Sequence, residues 1–429
     1  MEYTSKDLEK WCSIIEPMAK ELGLDFYPQE FEIVSYTDMI AYEAYVGMPS
    51  RYPHWSFGKS YERTKSLYKY NLTGLPYEMV INSNPCLAYL MKDNTLLLQI
   101  LTMAHVYGHN DFFKNNRLFK EGTRASYTIE MFKNDADIIR GYVNDPSIGY
   151  DEVEKFLNAA HAIRLQTNRT IGMKHSKDEN KLEKEWKDDI LQFIMNEGEL
   201  NEWQKNVLNI VRRETAYFIP QIETKIMNEG WASYWHYKIL HKLNLPDSLY
   251  LEFIKRHNDV ITPYIGSINP YHLGFKIFED LEKKYGLNKI FEVRLLERDE
   301  SFIRRYLTED LCYELNLFQY GKEKNEYVVQ NISDDTGWLE IRNTLCKNCG
   351  MGMIPNIVIS EVSKNDNTLI LKHIFEGREL DSIYMEATLK YVYDLWGHPV
   401  QLNTKIDKSD MKIYCDNDKK ISYTNLGEN

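Results

Sequence analysis

The apolar positions of the chain fall into two regimes. Up to about residue 316 they recur at helical spacing, and beyond about 322 they bunch into short runs bounded by turn residues. Leu8, Trp11, Ile14, Ile15, Met18 and Leu22 mark an amphipathic helix over 3–22. An aromatic, turn-rich stretch follows to about 70. EMVINS at 78–83 then reads as a strand, punctuated by Asn84 and Pro85. TLLLQILTMAHVYGHNDFFK at 95–114 reads as a long buried helix. Helical spacing resumes over 125–166, over 186–243 with Pro220 expected to kink or divide it, and over 247–260 and 270–286. The charged segment 172–186 reads as a solvated linker or an exposed helix.

After 322 the pattern predicts strand 327–332, a helix through DTGWLEIRNTLCKN, and strands in IPNIVISEVS and TLILKHIF. A helix in SIYMEATLKYVYDLWG and strands in HPVQLNTKI and KIYCDN complete it. Strand-helix-strand-strand-helix-strand is the order of a split βαβ module. The predicted class is therefore α+β: a mostly helical N-terminal domain over 1–320, and a small ferredoxin-like α/β domain over 325–429.

Composition narrows the function classes. The 429 residues carry 43% apolar and 27% charged side chains, which is globular composition. Net charge is −12, and the short basic clusters, such as Arg212 and Arg213, are mixed with acids; direct nucleic-acid binding is not expected. The N-terminus is charged and lacks the apolar core of a signal peptide, and no run of about 18 apolar residues predicts a membrane span. Six scattered cysteines fit a reducing compartment, so a cytoplasmic chain is expected. The 31 tyrosines suit a wide cleft or an interface.

Candidate chemistry centres on two segments. His105 and His109, four residues apart on a helix, project from one face, the spacing by which two imidazoles ligate one zinc ion (Zn2+). This helix follows a strand, as in zincin metalloproteases, hence the expectation of a zincin-like domain. Two histidines with separate partners in a packed core would leave the same pattern. Glu229, in NEG at 228–230, matches the Asn-Glu context of the third ligand in thermolysin-like enzymes. Its bland alternative is an ion pair with Arg212 or Arg213. Gly230 costs about 1 kcal/mol in a helix interior and so predicts a close backbone approach. His236 lies about 10 Å along the axis from Glu229. It is expected to support a ligand, to donate a proton, or simply to fill space beside Trp235 and Tyr237.

The protease motif HExxH has its general base where this chain has Val106, so a hydrolase needs another. Asp111 sits about 200° around the helix from His109 and is a poor substitute. Glu214, His54 and His236 are the catalytic candidates. One CKNC, Cys346 and Cys349, lacks the second pair that would close a zinc site. GxGxxG, P-loop and GxSxG motifs are absent.

The strings RYPHWSFGK (51–59), VINSNPCLAYLM (80–91), AHVYGHNDFFKNN (104–116), RRETAYFIPQIETKIMNEGWASYWHY (212–237) and INPYHLGF (268–275) resemble those of the SpoVR family over nearly the whole chain. That resemblance implies a cytosolic bacterial protein acting in spore cortex, that is peptidoglycan, formation. It also implies company with a PrkA-type serine kinase and a protein bearing a von Willebrand factor A-type domain. It supplies no reaction. Two readings result: a metal-dependent amide or peptide hydrolase, and a non-catalytic scaffold with a degenerate zincin-like core.

Overall fold

The computed structural model describes residues 3–69, 78–167, 189–264, 267–317, 319–323, 326–331, 334 and 336–426. The charged segment expected over 172–186 lies outside them. The chain is mixed α and β and divides into two compact units. One comprises Met1–Arg51, Trp55–Phe132 and Ile219–Met353; the other comprises Tyr52–His54, Lys133–Phe218 and Ile354–Asn429. These units cut the chain differently from the sequence division at about 320. Residues 133–218, which the sequence reading assigns to the first domain, group with the C-terminal segment instead: the helix Tyr150–Ile163 packs on the helix Ser382–Trp396, and Phe193 stacks on Trp396.

In the first unit the helix Leu96–Asn115 is the centre. Thr95 caps it by accepting a hydrogen bond from the Leu98 N–H, and eighteen of its twenty residues are buried. A helix buried on all sides needs partners all round. The helix Lys225–Lys242 packs against one face, and Pro270–Tyr285 packs in turn on Lys225–Lys242. Two contacts between small residues set this spacing. A Cβ on Gly108 would fall 2.7 Å from Ala232 Cα, and one on Gly230 would fall 2.3 Å from the Gly274 carbonyl carbon. The close approach expected at Gly230 is thus present. Trp231, fully buried, donates its indole N–H to Asp111 Oδ2 at 2.8 Å. Burying one such ring is worth about 4–6 kcal/mol of transfer free energy.

Pro220 lies inside the helix Glu202–Glu223, and the break falls instead at Thr224. The next helix begins there because Asp299, from the helix Asp299–Tyr306, accepts the Ile226 and Met227 N–H groups at 2.9 Å each. A three-stranded sheet belongs to this unit: Cys86–Met91 runs between Gln29–Val34, parallel to it, and Glu78–Ile81, antiparallel. Glu78 is therefore the first residue of an edge strand.

In the second unit a five-stranded sheet has the order 421–425, 409–415, 400–406, 369–373, 357–362. Only the pair 369–373 and 400–406 is parallel, joined by the helix Ser382–Trp396. This is not the expected split βαβ order. The strand Glu326–Asn331 pairs with Gln319–Glu323 as a separate hairpin, and an extra strand, Ile421–Asn425, extends the sheet. Local hairpin closure costs less entropy than a long-range pairing, which is the physical reason for the difference.

Candidate metal centre

The site forms where the Leu96–Asn115 helix, the Lys225–Lys242 helix and the edge strand converge. His105 and His109, one turn apart, are both buried, with ring centroids 4.6 Å apart. Glu229 faces them from the second helix: its Oε2 lies 3.8 Å from His105 Nε2 and 3.5 Å from His109 Nε2. Glu78 completes the cluster from the strand, its Oε1 3.8 Å from His105 Nε2. Sequence reasoning noticed the strand and missed this residue. An acid at the head of an apolar run was the only available signal.

These separations exceed hydrogen-bond length. Donors bound at about 2.0–2.2 Å around one tetrahedral ion stand about 3.3–3.6 Å from each other. Moreover, His105 Nε2 and Glu229 Oε2 are buried with no hydrogen-bond partner. Orphaned buried groups of this kind cost roughly 1–3 kcal/mol each, more when charged, unless something binds them. Ligand atoms of Glu78, His105 and His109 also lie within 4.8 Å of one another. The residues present fit a divalent ion.

The outer nitrogens of both histidines are engaged. His109 Nδ1 meets Asn228 Oδ1 at 2.9 Å, so it carries the proton and leaves Nε2 as a lone pair facing the site. His105 Nδ1 lies 2.9 Å from His236 Nδ1, and His236 Nε2 lies 2.8 Å from His257 Nδ1. In this file of three rings, one proton order leaves His105 Nε2 free to ligate: His105 donates to His236, and His236 donates to His257. His236 thus sits behind the His105 ring in hydrogen-bond contact, and it does not line the cavity.

Electrostatics separate the two carboxylates. Burial raises Glu229, but His105, His109 and Lys225 outweigh it and hold the group below its ordinary range. Burial pushes Glu78 up, His105 opposing and Glu229 adding to the effect. Burial, with His105 adding to it, lowers His109 to about 4. The Glu229 charge, then burial, drives the Tyr271 hydroxyl well above its usual value. Tyr271 stacks on His105, with centroids 6.1 Å apart. The cluster floors a cavity of about 530 Å³, walled by Val80, Leu101, Phe113, Gln221, Val260, Tyr264 and Tyr271, with Asn228 and Asp259.

The other candidates lie elsewhere. His54 and Glu214 belong to the second unit, where His54 Nε2 meets Asn158 Oδ1 at 3.1 Å and Glu214 is buried. Neither lines the cavity. Arg212 and Arg213 pair with Asp189 and Asp135, not with Glu229. Asp111 holds the core together, accepting from Trp231 and from the Asp25 N–H and standing 3.3 Å from Arg294. Cys346 and Cys349 are buried free thiols whose Sγ–H groups point to the carbonyls of Glu300 and Cys346. Burial pushes both thiols up, which suppresses thiolate chemistry.

The family described as SpoVR like protein matches residues 2–186 and 172–354, and the SpoVR-like C-terminal domain matches 355–407. An uncharacterized protein of Escherichia coli (strain K12), YcgB, is 33% identical over 485 residues, spanning 96% of this chain and 94% of its own. No solved structure matches the chain.

Proposed function

The chain belongs to the SpoVR family, and on that premise we propose that it is a metal-dependent hydrolase of amide or peptide bonds working in a sporulation-associated process, with the spore cortex peptidoglycan as its proposed setting. The observation that supports this most is the convergence of orphaned buried donors, His105 Nε2 and Glu229 Oε2, on the floor of a cavity. His105, His109 and Glu229 hold the metal, zinc by their donor chemistry. When bound, the ion supplies Lewis acidity that polarises a substrate carbonyl.

The chain's own groups do the rest. Asn228 fixes the His109 ring in the tautomer that presents Nε2. Val106 is fully buried in the core and cannot serve as base. Glu78, as close to His105 Nε2 as Glu229 is and also lining the cavity, is the carboxylate assigned that role, with Glu229 assigned to the metal. Tyr271, kept protonated, offers a hydroxyl donor toward the reacting carbonyl. Metal content by mass spectrometry tests the reading, on protein prepared without chelator or histidine tag. Near-stoichiometric metal in the wild type, lost in His105→Ala and Glu229→Ala, is expected. A folded wild type that takes up no metal after reconstitution overturns it.

A scaffold role has one observation in its favour. Ile383 and Tyr384, adjacent at the start of the Ser382–Trp396 helix, are each 76% exposed. If they dock a family companion, whether the PrkA-type kinase or the von Willebrand factor A-type protein, the Ile383→Ser, Tyr384→Ser double variant loses capture of it. Unchanged capture excludes this patch.

A further inference from the structure

The cavity above the donor cluster is lopsided in charge. Glu78 and Glu229 lie at its floor, and Asp259, with a half-exposed side chain, stands at its wall on the last turn of the helix Asp247–Val260. No lysine or arginine is among the described residues that line it. The nearest cation recorded for Asp259 is Arg256, at a loose 3.9 Å and outside the lining. Three carboxyl groups and no cationic side chain among the described lining residues give this open cavity a negative bias. The remaining walls include the aromatic residues Phe113, Tyr264 and Tyr271, a side-chain class that attracts cations.

The acids alone would not define a site. The second observation is His105 Nε2, in a residue 3% exposed, unpartnered and at the cavity floor. It is the nitrogen assigned above to the metal, so it marks the floor of this cavity as the reacting end, which a substrate amide would have to reach past Asp259. Resting on the hydrolase reading above, we infer that the substrate is an amide bearing a primary ammonium group, such as a peptide with a basic amino-acid side chain, its ammonium held by Asp259 and the tyrosines while the amide meets the donor cluster. An anionic substrate would enter against like charge.

Binding by calorimetry to the full chain tests this with three uncharged-backbone probes. These are Nα-acetyl-lysine amide, its Nε-acetylated form and Nα-acetyl-glutamate amide, each titrated into metal-loaded and metal-stripped protein. The lysine probe should bind at least about tenfold tighter than its acetylated form, with the glutamate probe weakest. Asp259→Asn should weaken the lysine probe by about three- to tenfold and leave the acetylated probe unchanged. Equal affinity of the charged and acetylated probes, or no binding of either, overturns the inference. The two readings fail separately. Metal bound without amine preference sinks only this one, and amine preference in a protein that takes up no metal sinks only the hydrolase.

Discussion

Replacing Gly230 by alanine puts the architecture of the site under direct test. The added Cβ would stand 2.3 Å from the Gly274 carbonyl carbon, 2.4 Å from Gly274 Cα and 2.7 Å from the Phe275 nitrogen. Carbon atoms rest at about 3.5–4.0 Å, so the helices Lys225–Lys242 and Pro270–Tyr285 must part by about 1.2 Å. The obstructing atoms are all backbone and cannot rotate away. Overpacking of this kind costs about 1–3 kcal/mol, and the upper end applies here. The gain in helix propensity returns about 1 kcal/mol, leaving a net loss of about 2 kcal/mol. For a unit of this size that is a drop of about 4–8 °C in Tm by scanning calorimetry without added metal. Gly58→Ala is the matched control: it is helical, in the same compact unit, with nothing within 4 Å of its Cβ, and it should gain about 1 kcal/mol. A Gly230→Ala protein that melts with or above the wild type refutes the argument that backbone contact spaces these helices.

Further outcomes follow from single contacts. Asn228→Ala releases the His109 ring and should weaken metal binding about 10- to 100-fold in a competition titration with a chromogenic chelator; unchanged affinity would show that Asn228 does not orient the ligand. Burial lowers His257 to about 4, against about 6.5 in an unfolded chain, so between those pH values the unfolded state binds the extra proton. The associated stability is present above pH 6.5 and is lost as the pH falls toward 4, by up to about 1.4 kcal/mol per unit. Denaturant midpoints at pH 7 and pH 5 should therefore converge in His257→Gln relative to the wild type. Asp299→Ala strips two N–H acceptors from the start of the Lys225–Lys242 helix and should cost about 1–2 kcal/mol; a loss within error of zero would mean that water replaces the cap.

The helical half of the fold was readable because helical periodicity is local. The His105 and His109 pairing follows from 3.6 residues per turn and needs no tertiary knowledge. Glu229 was found through its neighbours Asn228 and Gly230, each of which has a geometric job. Glu78 was not legible, since an edge strand meeting a helix is a long-range event that no spacing encodes. His236 shows the same limit from the other side. Its distance from Glu229 along one helix axis says nothing of its distance to His105 on the neighbouring helix, where the rings touch. The strand over 327–332 was recognised, but its partner was not, because a pairing partner within ten residues competed with the C-terminal sheet.

The alternation of the chain between its two compact units bears on how it is made. Neither unit is a continuous stretch: the first is not complete until residue 353 has been joined, and the second waits for the C-terminal strands. During synthesis, residue 218 emerges roughly 140 residues before residues 354–429, which include the helix Ser382–Trp396 on which Tyr150–Ile163 packs; at about 5–20 residues per second that is about 7–30 s. The face of Tyr150–Ile163 that packs there stays uncovered for that interval, the period in which a nascent chain is open to chaperones and to aggregation. A truncation near residue 320 makes that exposure permanent, so loss of function in such a protein would report on folding before it reported on partners.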